Sequence, residues 1–183
     1  MAPLLYRLDD PTRAAAAGIQ PGIKGEIIDF SPFSLIWLVP TLRAGGFEHA
    51  KGLALMLWAI FLRVGKAREF RVYAYRDAGV GILHYSVVSP TRVHMPWLEP
   101  RQAGTEIGGC LTIPSARGKK IYPSVLANIA GSGRHPFPLY MIVDGENISS
   151  RRGIENAGFE RVCSLSRKSG GMQPPRYELM ASN

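Results

Sequence analysis

The chain has 183 residues, of which 46% are hydrophobic and 20% are charged, and this composition excludes an intrinsically disordered protein. The length suits a single domain over residues 1–183, with a core that needs neither a metal nor a disulfide. The net charge is +8, and residues 61–120 carry ten basic and four acidic side chains, so we expect an anionic partner.

Charge alone would also suit a nucleic-acid-binding protein. The sequence shows no basic helix face and no strand pair with interleaved aromatic residues, so we do not expect nucleic acid to be the main partner. The two cysteines, Cys110 and Cys163, lack metal-ligand spacing and lie in apolar stretches. They predict two reduced, buried thiols, no metal site and a cytoplasmic protein.

The N-terminal third contains one strong apolar run. Residues 1–22, with an alanine run and a Pro-Gly pair, indicate a loosely attached lead-in without the apolar core of a secretory signal. GEIIDF (25–30) predicts a short strand. LALMLWAIFL (53–62) is shorter than the ~20 residues of a membrane span and predicts a buried helix over 46–64. That helix could also pack against a second copy in a homodimer.

The middle of the chain changes to the period of strands. EFRVYAYRD and VGILHYSVVS alternate on either side of Asp77-Ala78-Gly79, which predicts a β-hairpin. Residues 90–103 hold three prolines and predict a long loop. TEIGGCLTI follows as another strand, in which the paired glycines Gly108 and Gly109 indicate a bulge or a close backbone approach.

The remaining elements alternate. A helix is predicted over about 119–131, then the buried strand LYMIV, then a helix with Asn147 as its N-cap and Gly158 at its end. FERVCSLS and RYELM predict a terminal hairpin. The fold class is therefore α/β with a mixed sheet.

A basic turn joins the TEIGGCLTI strand to the first of these helices, in IPSARGKKIYPSVL (113–126). It contains Arg117, Gly118, Lys119 and Lys120. Backbone amides in such a turn and the positive end of the helix dipole together form an anion site. The alternative is a solvated basic loop. The turn is not a P-loop, because the GxxxxGK[ST] spacing is absent.

This region resembles the GNAT superfamily of N-acetyltransferases, in which such a strand enters an R-G-x-G-x-G/A turn whose amides bind the pyrophosphate of acetyl-coenzyme A. CLTIPSARGKKIYPSVL has the apolar strand end, the proline and Arg117-Gly118-Lys119 in register. NISSRRGIENAGF supplies Asn147, Ser150 and a Gly-Phe pair at the family's spacings. The resemblance covers about residues 68–165 and implies a GNAT-like, mixed, mostly antiparallel sheet flanked by helices.

The resemblance also implies the groups that bind the coenzyme. They are Leu111, Thr112, Ile113, Arg117, Gly118, Lys119, Lys120, Ile121, Tyr122, Asn147 and Ser150. Two of them depart from the family pattern, since Lys120 and Tyr122 stand where glycine or alanine is usual. We expect ordinary helical backbone at Lys120, because lysine carries a Cβ, and an ammonium within reach of a phosphate.

Direct attack of an amine on the thioester, without an acyl-enzyme, is what the resemblance implies, and this needs a base. Glu106 occupies a position where family members often carry a catalytic glutamate; a solvent-facing carboxylate or an ion pair is the alternative. His84 is a second candidate, facing an acceptor cleft, although a lone histidine on an apolar strand is more often a hydrogen-bonded core residue. His49, His94 and His135 have no stronger case.

The proton donor for the leaving thiolate is open. Many relatives have a tyrosine at the position of Ile154, and neither Tyr122 nor Tyr140 matches it. The thiolate leaves unassisted or another group serves. Arg151 and Arg152 are candidates for the 3′-phosphate of the coenzyme or are surface arginines. Trp97 either walls the acceptor site or anchors its loop.

The leading interpretation is an N-acyltransferase that moves an acetyl or other short acyl group from acyl-coenzyme A to a small-molecule amine. RGKxIYPxVL with NxxSxRGIxxAGF is similar to transferases of bacterial surface-polysaccharide biosynthesis, which favours an amino sugar over polyamines, peptides or aminoacyl groups. The alternatives are a coenzyme A-binding module of the same fold without turnover and, behind it, a basic nucleic-acid-binding protein.

Overall fold

The computed structural model describes residues 2–16, 20–31, 70–91, 95, 104–168 and 176–179. The strands within these ranges are β1 Leu4–Leu8, β2 Glu26–Phe30, β3 Arg71–Asp77, β4 Gly81–Pro90, β5 Thr105–Thr112, β6 Leu139–Val143, β7 Glu160–Lys168 and β8 Arg176–Leu179. The helices are α1 Pro11–Ala16, α2 Ile121–Gly131 and α3 Ile148–Asn156. The helix predicted over 46–64, most of the loop predicted over 90–103, and His49, His94 and Trp97 lie outside the described residues.

The eight strands form one sheet in the order β2-β3-β4-β5-β6-β1-β7-β8. Every pairing is antiparallel except β5 with β6, which are parallel and are connected through α2. The predicted mixed, mostly antiparallel sheet is therefore confirmed. No helix of the described ranges is both long and apolar enough to cross a lipid bilayer.

The predicted hairpin is formed by β3 and β4. Its turn is fixed by the Asp77 carboxylate, which accepts hydrogen bonds from the backbone N–H groups of Gly79 and Val80, both at 2.9 Å. Aspartate favours such turns because its short side chain bonds the backbone two residues on. The prediction of a terminal hairpin is also confirmed, since β7 pairs with β8.

The prediction that the N-terminus is a loosely attached lead-in is wrong for β1. This strand lies inside the sheet, between β6 and β7. Leu4, Tyr6 and Leu8 face the helices, while Leu5 is buried against the other side of the sheet. Since neighbouring strand residues point to opposite faces, LLYRL is a central strand with both faces covered.

The main core lies between the sheet and the helices. α2 contributes Ile121, Val125, Leu126 and Ile129, each at most 1% exposed, at the spacing that places them on one helix face. Burial of each aliphatic side chain contributes about 1.5–3 kcal/mol, so this helix is fixed firmly against the sheet. Its N-terminus is thereby held at the edge of the cleft described next.

Candidate active site

A cleft of about 610 Å³ opens where α2 begins. The end of β5 and His84 form its floor, the basic turn and the first residues of α2 form one wall, and α3 forms the other. It gathers ten of the eleven residues that the sequence assigned to coenzyme binding, namely Leu111, Thr112, Arg117, Gly118, Lys119, Lys120, Ile121, Tyr122, Asn147 and Ser150.

Ile113, the eleventh, does not line the cleft. It is buried in the core, and its N–H donates to the carbonyl of Leu83 at 3.0 Å. Its contribution is therefore to hold the end of β5 against β4.

The basic turn has an unusual backbone. A short 3₁₀ segment, Pro114–Ala116, ends with the N–H of Arg117 bonded to the carbonyl of Pro114 at 3.2 Å. Gly118 follows at φ +76°, a conformation that only glycine adopts freely, and a Cβ built on it would meet no atom within 4 Å. A side chain there would therefore project into open space at the cleft.

The expectation of helical backbone at Lys120 is wrong. Its φ of 57° and ψ of 16° are left-handed, although lysine carries a Cβ. The Lys120 carbonyl makes the first hydrogen bonds of α2, since it accepts the N–H of Ser124 at 3.2 Å and its hydroxyl at 2.7 Å. Left-handed backbone costs an L-residue roughly 1–2 kcal/mol. The turn thus stores strain at the position where the family pattern has glycine.

Gly22 and Ile23, which precede β2 and together are called the strap, support the basic turn from outside the cleft. The N–H of Gly22 donates to the carbonyl of Lys119 at 2.8 Å, and the hydroxyl of Tyr75 donates to the carbonyl of Ile23 at 2.6 Å. The Lys119 carbonyl is therefore occupied by the strap. This arrangement fixes the orientation of the turn before any ligand binds.

The electrostatics of the cleft favour anions. Arg117, Lys119, Lys120 and Arg152 line it, and the lining residues that the structure describes include no aspartate or glutamate. Among the described residues no side chain caps α2, and its first turn contains no acidic residue. Its first N–H groups and its dipole therefore act together with the cations.

The floor of the cleft lies where the sheet opens. The β5–β6 ladder joins Thr105 to Leu139 and Glu106 to Tyr140 and ends there, while β5 continues to Thr112. β5 thus parts from β6 below the turn. The opening gives a long, narrow ligand a way between the two strands.

The bulge predicted at the paired glycines is confirmed. The β4–β5 register shifts between Tyr85 and Val87, and Gly109 has φ +57°. The extra residue puts both Ile107 and Cys110 on the helix side of the sheet, although they are three positions apart. Sequence reasoning missed Cys110 as a floor residue, but the glycine pair was the signal that would have found it.

His84 sits at the floor and is fully buried. Its Nδ1 lies 2.7 Å from the hydroxyl of Thr112 and its Nε2 lies 2.8 Å from the hydroxyl of Ser86. The ring of Tyr122 packs against it with 5.4 Å between centroids. His84 is therefore a hydrogen-bonded core residue, which the sequence analysis gave as the alternative, and it also borders this cleft. Its catalytic role at an acceptor cleft stays a prediction.

Tyr122 and Cys110 meet beside His84. Burial raises the pKa of the Cys110 thiol to about 11, against the lowering effect of hydrogen bonds with Ser86 and Tyr122. Burial also raises the pKa of Tyr122 well above its usual value. The sequence predicted two buried, reduced thiols. Cys110 and Cys163 are half-buried instead, and both are free cysteines. At neutral pH both the phenol and the thiol at the floor keep their protons.

Glu106 does not line the cleft. Its neighbour Ile107 is buried beneath the helices, so Glu106 points to the opposite face of β5. It lies at the last β5–β6 pair, where the strands begin to part, and its charge raises the pKa of Cys110 further. Glu106 and the cleft floor therefore stand on the two sides of the opening in the sheet.

The α3 wall is made by one face of that helix, with Ser149, Arg152, Gly153 and Asn156 at helical spacing. The predicted N-cap is confirmed, since Asn147 Oδ1 accepts the N–H of Ser150 at 3.1 Å. Sequence reasoning missed Ser149, Gly153 and Asn156, which continuing the helical spacing would have found.

Four other residues that the sequence analysis discussed lie away from the cleft. Arg151 turns aside, its Nη1 donating to the carbonyl of Gly145 at 3.1 Å. Ile154 is 1% exposed in the main core, and Tyr140 packs with Leu5 and other residues on the other side of the sheet. His135 is also occupied structurally, with its Nε2 2.8 Å from the hydroxyl of Tyr73.

No protein-family model matches the sequence, and no curated protein matches it. Solved structures do resemble it. A functionally unknown conserved protein from Staphylococcus epidermidis ATCC 12228 superposes with a TM-score of 0.54 at 11% identity, over 88% of this chain and 57% of that one. An acetyltransferase of the GNAT family from Colwellia psychrerythraea gives a TM-score of 0.50 at 16% identity, over 87% and 52%.

A tandem GNAT protein from the clavulanic acid biosynthesis pathway gives a TM-score of 0.54 at 16% identity, over 87% of this chain and 50% of that one. This chain thus spans little more than half the length of the structures it resembles. At such identities the likeness concerns the fold alone. The chain has a GNAT-like α/β fold.

Proposed function

We propose that this protein is an N-acyltransferase that moves an acetyl or other short acyl group from acyl-coenzyme A to an amine by direct attack. The observation that carries the proposal is the basic turn, Arg117–Lys120, above the opening between β5 and β6 and at the N-terminus of α2, which no side chain of the described residues caps. Amides, dipole and cations suit the diphosphate of the coenzyme, and the opening suits its long neutral pantetheine arm.

The two ends of the cleft fix the direction of the ligand. The cations stand at the turn, while the floor is made by neutral groups such as Cys110, Leu111 and Thr112. A coenzyme would therefore place its phosphates at the turn and its thioester near the floor. The carbonyl carbon then lies close to the opening, on whose far side Glu106 stands.

The reaction needs an amine with a free lone pair. In the proposed step the amine nitrogen attacks the thioester carbonyl, a C–N bond forms, and the C–S bond then breaks with its electron pair on sulfur. Glu106 takes the proton from the amine, directly or through water. An amino sugar is the first acceptor to test, with polyamines, peptides and aminoacyl groups after it.

Tyr122 is our candidate for stabilising the departing sulfur, in place of the tyrosine that Ile154 replaces. Its phenol lies at the floor beside the Cys110 thiol. Because its pKa is raised well above that of a thiol, near 8.5, complete proton transfer to the thiolate is uphill. Tyr122 would therefore stabilise the thiolate by a hydrogen bond. The thiolate would then take its proton from bulk water, to which Glu106 returns the proton of the amine.

Titration calorimetry with acetyl-coenzyme A tests the binding part of the proposal. Gly118→Glu places a carboxylate among the proposed phosphate contacts, and like charges in a recognition site cost several kcal/mol, so affinity should fall more than about 30-fold. Gly133→Glu is the matched control, because Gly133 also has a positive φ, +66°, and open space around its Cα, away from the cleft. Equal affinities in both variants would contradict the proposal.

Turnover is tested with the acceptor that the screen identifies. Glu106→Gln keeps the shape of the side chain but cannot accept a proton. The rate constant kcat should fall about 100-fold or more while coenzyme affinity is unchanged. A variant as fast as the wild type would remove Glu106 as the base.

Direct attack is tested at Cys110, the thiol nearest the proposed thioester. A pKa of about 11, against 9 for an ordinary cysteine, leaves about 100-fold less thiolate at pH 8. Iodoacetamide should therefore label Cys110 of the Cys163→Ser chain about 100-fold more slowly in the folded state than in urea, with a rate that climbs tenfold per pH unit towards pH 11. An acetylated Cys110 after incubation with acetyl-coenzyme A alone would argue for an acyl-enzyme instead.

A coenzyme A-binding module without turnover is the second candidate. It is favoured by Ile154, which is buried in the core and offers no hydroxyl at the position where many relatives have one. Such a module would bind acetyl-coenzyme A with the same dependence on Gly118. It would release no coenzyme thiol with any acceptor, which the turnover assay detects.

A further inference from the structure

Two glycines flank Glu106 on its own face of the sheet, because residues two positions apart along a strand point to the same side. A Cβ on Gly104 would lie 2.6 Å from the carbonyl oxygen of Pro138, so packing requires glycine there. A Cβ on Gly108 would lie 3.5 Å from Oε1 of Glu106, which is ordinary van der Waals contact. Apart from its chain neighbours, no other heavy atom of the described residues comes within 4 Å of that Cβ.

The backbone gives no reason for glycine at position 108 either. Its φ lies outside the left-handed region, whereas Gly109, at the bulge, has φ +57°. Gly109 alone therefore accounts for the bulge. A glycine inside a strand weakens it, and where neither backbone nor packing requires one, it marks a place that a ligand approaches closely.

Gly108 is also accessible, although β5 is a central strand of the sheet. The β5–β6 ladder ends at the pair of Glu106 with Tyr140, so Gly108 lies in the opening between the two strands. Gly108 is half-buried and Gly109 is exposed. A ligand in the opening can therefore reach the backbone of β5 next to Glu106.

The other neighbours of Glu106 on this face leave little room. Ser89 lies opposite it on β4 and Tyr140 on β6, and each is 3% exposed. Gly104 is packed against Pro138. Within the described part of the sheet, the space beside the Glu106 carboxylate is therefore the space over Gly108.

We propose that Gly108 determines acceptor specificity, because it leaves room for amines on branched carbons, such as ring amines and α-amines, and not only for terminal alkylamines. The inference rests on the proposed function, in which Glu106 takes the proton of the amine. A nitrogen within about 2.7–3.2 Å of Oε1 carries its substituents over Gly108. The carbon of a CH2–NH2 group has one further carbon neighbour, while that of a CH–NH2 group has two. A Cβ at position 108 would take the place of the second one.

The experiment compares two isomers, 2-amino-2-deoxyglucose with a ring amine and 6-amino-6-deoxyglucose with a terminal one. The wild type should acetylate the ring amine. Gly108→Ala should lower kcat/KM for the ring amine about tenfold or more and for the terminal amine less than about threefold, since one carbon in a closed pocket changes kcat/KM about 10–200-fold.

Lysine offers the same comparison within one molecule. Its α-amine stands on a branched carbon and its ε-amine on a terminal one, so the ratio of Nα-acetyl to Nε-acetyl product should fall about tenfold in Gly108→Ala. The two amines differ in pKa, but this difference is the same for both proteins. A change in the product ratio therefore reports on the space at the site.

Two controls establish that Gly108→Ala changes the site and not the fold. Gly131→Ala makes the same change in α2, outside the cleft lining, where a Cβ would meet no described atom within 4 Å, and it should keep the wild-type ratios. The urea midpoint of Gly108→Ala should be no lower than that of the wild type, because alanine fits this backbone and restricts the unfolded chain. Calorimetry should show unchanged affinity for acetyl-coenzyme A.

The outcomes separate this inference from the proposed function. A wild type that acetylates terminal amines only, or a Gly108→Ala variant that slows both isomers equally, would overturn the role of Gly108 and leave the transferase standing. Weakened coenzyme binding in Gly108→Ala would place this residue at the donor and would also overturn the inference. A protein that binds acetyl-coenzyme A but acetylates no amine would overturn both.

Discussion

The two helices that border the cleft begin in opposite ways. α3 begins with its own cap, because Asn147 Oδ1 accepts the N–H of Ser150 and the hydroxyl of Ser149. α2 begins after the left-handed Lys120, and among the described residues no side chain caps it. The N-termini of both helices face the same cleft, yet within the described ranges only that of α3 has a side chain that accepts a hydrogen bond from one of its first backbone N–H groups.

The difference separates scaffold from site. The first N–H groups of any helix lack intrahelical partners and need another acceptor. Asn147 supplies that acceptor for one backbone N–H group of α3, that of Ser150, without a ligand. The start of α2 is held by hydrogen bonds from Ser124 to the Lys120 carbonyl and from Gly22 to the Lys119 carbonyl. On the side of the cleft, an anion would accept the hydrogen bonds of its first N–H groups.

The largest expected effect is ligand-induced stabilisation. Coenzyme A at 100 times its Kd should raise the free energy of unfolding by about 2.7 kcal/mol, because it binds only the folded state. Urea unfolding with and without the coenzyme measures this increment. A Kd weakened about 30-fold leaves the coenzyme at only about three times Kd, so Gly118→Glu should reduce the increment to about 0.9 kcal/mol or less at the same concentration, whereas Asn147→Ala should keep it on a lower baseline. An increment lost equally in both variants would remove the distinction between the two helix starts.

The next effect concerns the contact that joins the two helices. A Cβ on Gly153 would lie 2.6 Å from Cδ1 and 3.0 Å from Cε1 of Tyr122, so Gly153→Ala should destabilise the fold by about 1–3 kcal/mol. Gly131→Ala is the matched control in α2, where a Cβ would meet nothing within 4 Å. It should be neutral or stabilising by up to about 1 kcal/mol.

A double-mutant cycle sharpens this test. Tyr122→Leu removes the ring that the new methyl group would strike, so Gly153→Ala should cost much less in that background. Equal costs in both backgrounds would mean that the destabilisation has another origin, such as the backbone of α3.

The cap of α3 gives a smaller effect. Asn147→Ala should lower the free energy of unfolding by about 1 kcal/mol, and Asn147→Asp should restore it, since a carboxylate caps equally well and suits the helix dipole. Thermal unfolding monitored by circular dichroism measures both variants. If Asn147→Ala weakened coenzyme binding by more than it weakened the fold, Asn147 would be a ligand group, and α3 would belong to the site.

These predictions rest partly on what the sequence made visible. The β3–β4 hairpin, the bulge at Gly109 and the cap at Asn147 were predictable because turn chemistry and strand period are local. β1 was not, because its place depends on β6 and β7, which follow it by more than 130 residues. The alanine run that follows β1 suggested a loosely attached segment. The burial of β1 depends on its neighbours in the sheet, which lie far away in the sequence.

The candidate site divides in the same way. The turn and the end of β5 were identified from the resemblance, since they adjoin in sequence. The contact of Tyr122 with Gly153, and the choice between Arg151 and Arg152, depend on how α2 and α3 are rotated against each other. No local sequence pattern indicates the orientation of α2 relative to α3.

Lys120 is the residue at which this limit has the clearest consequence, because two of its properties oppose each other. Its left-handed backbone is strained, so Lys120→Gly should stabilise the free protein by about 1 kcal/mol in urea unfolding. The same change removes an ammonium from the cleft and should weaken coenzyme A binding about tenfold.

Lys120→Ala separates the two properties, because it loses the ammonium but keeps a Cβ at the strained position. It should bind coenzyme A as weakly as Lys120→Gly while showing no gain in stability. If Lys120→Ala kept the wild-type affinity, the ammonium would serve no phosphate, and the turn would bind through its backbone alone. If both variants were equally stable, the strain would lie elsewhere than at Lys120. We expect Lys120→Gly to gain stability and lose affinity, and Lys120→Ala to lose affinity only. This result would show that the charge of Lys120 serves ligand binding although its left-handed backbone costs stability.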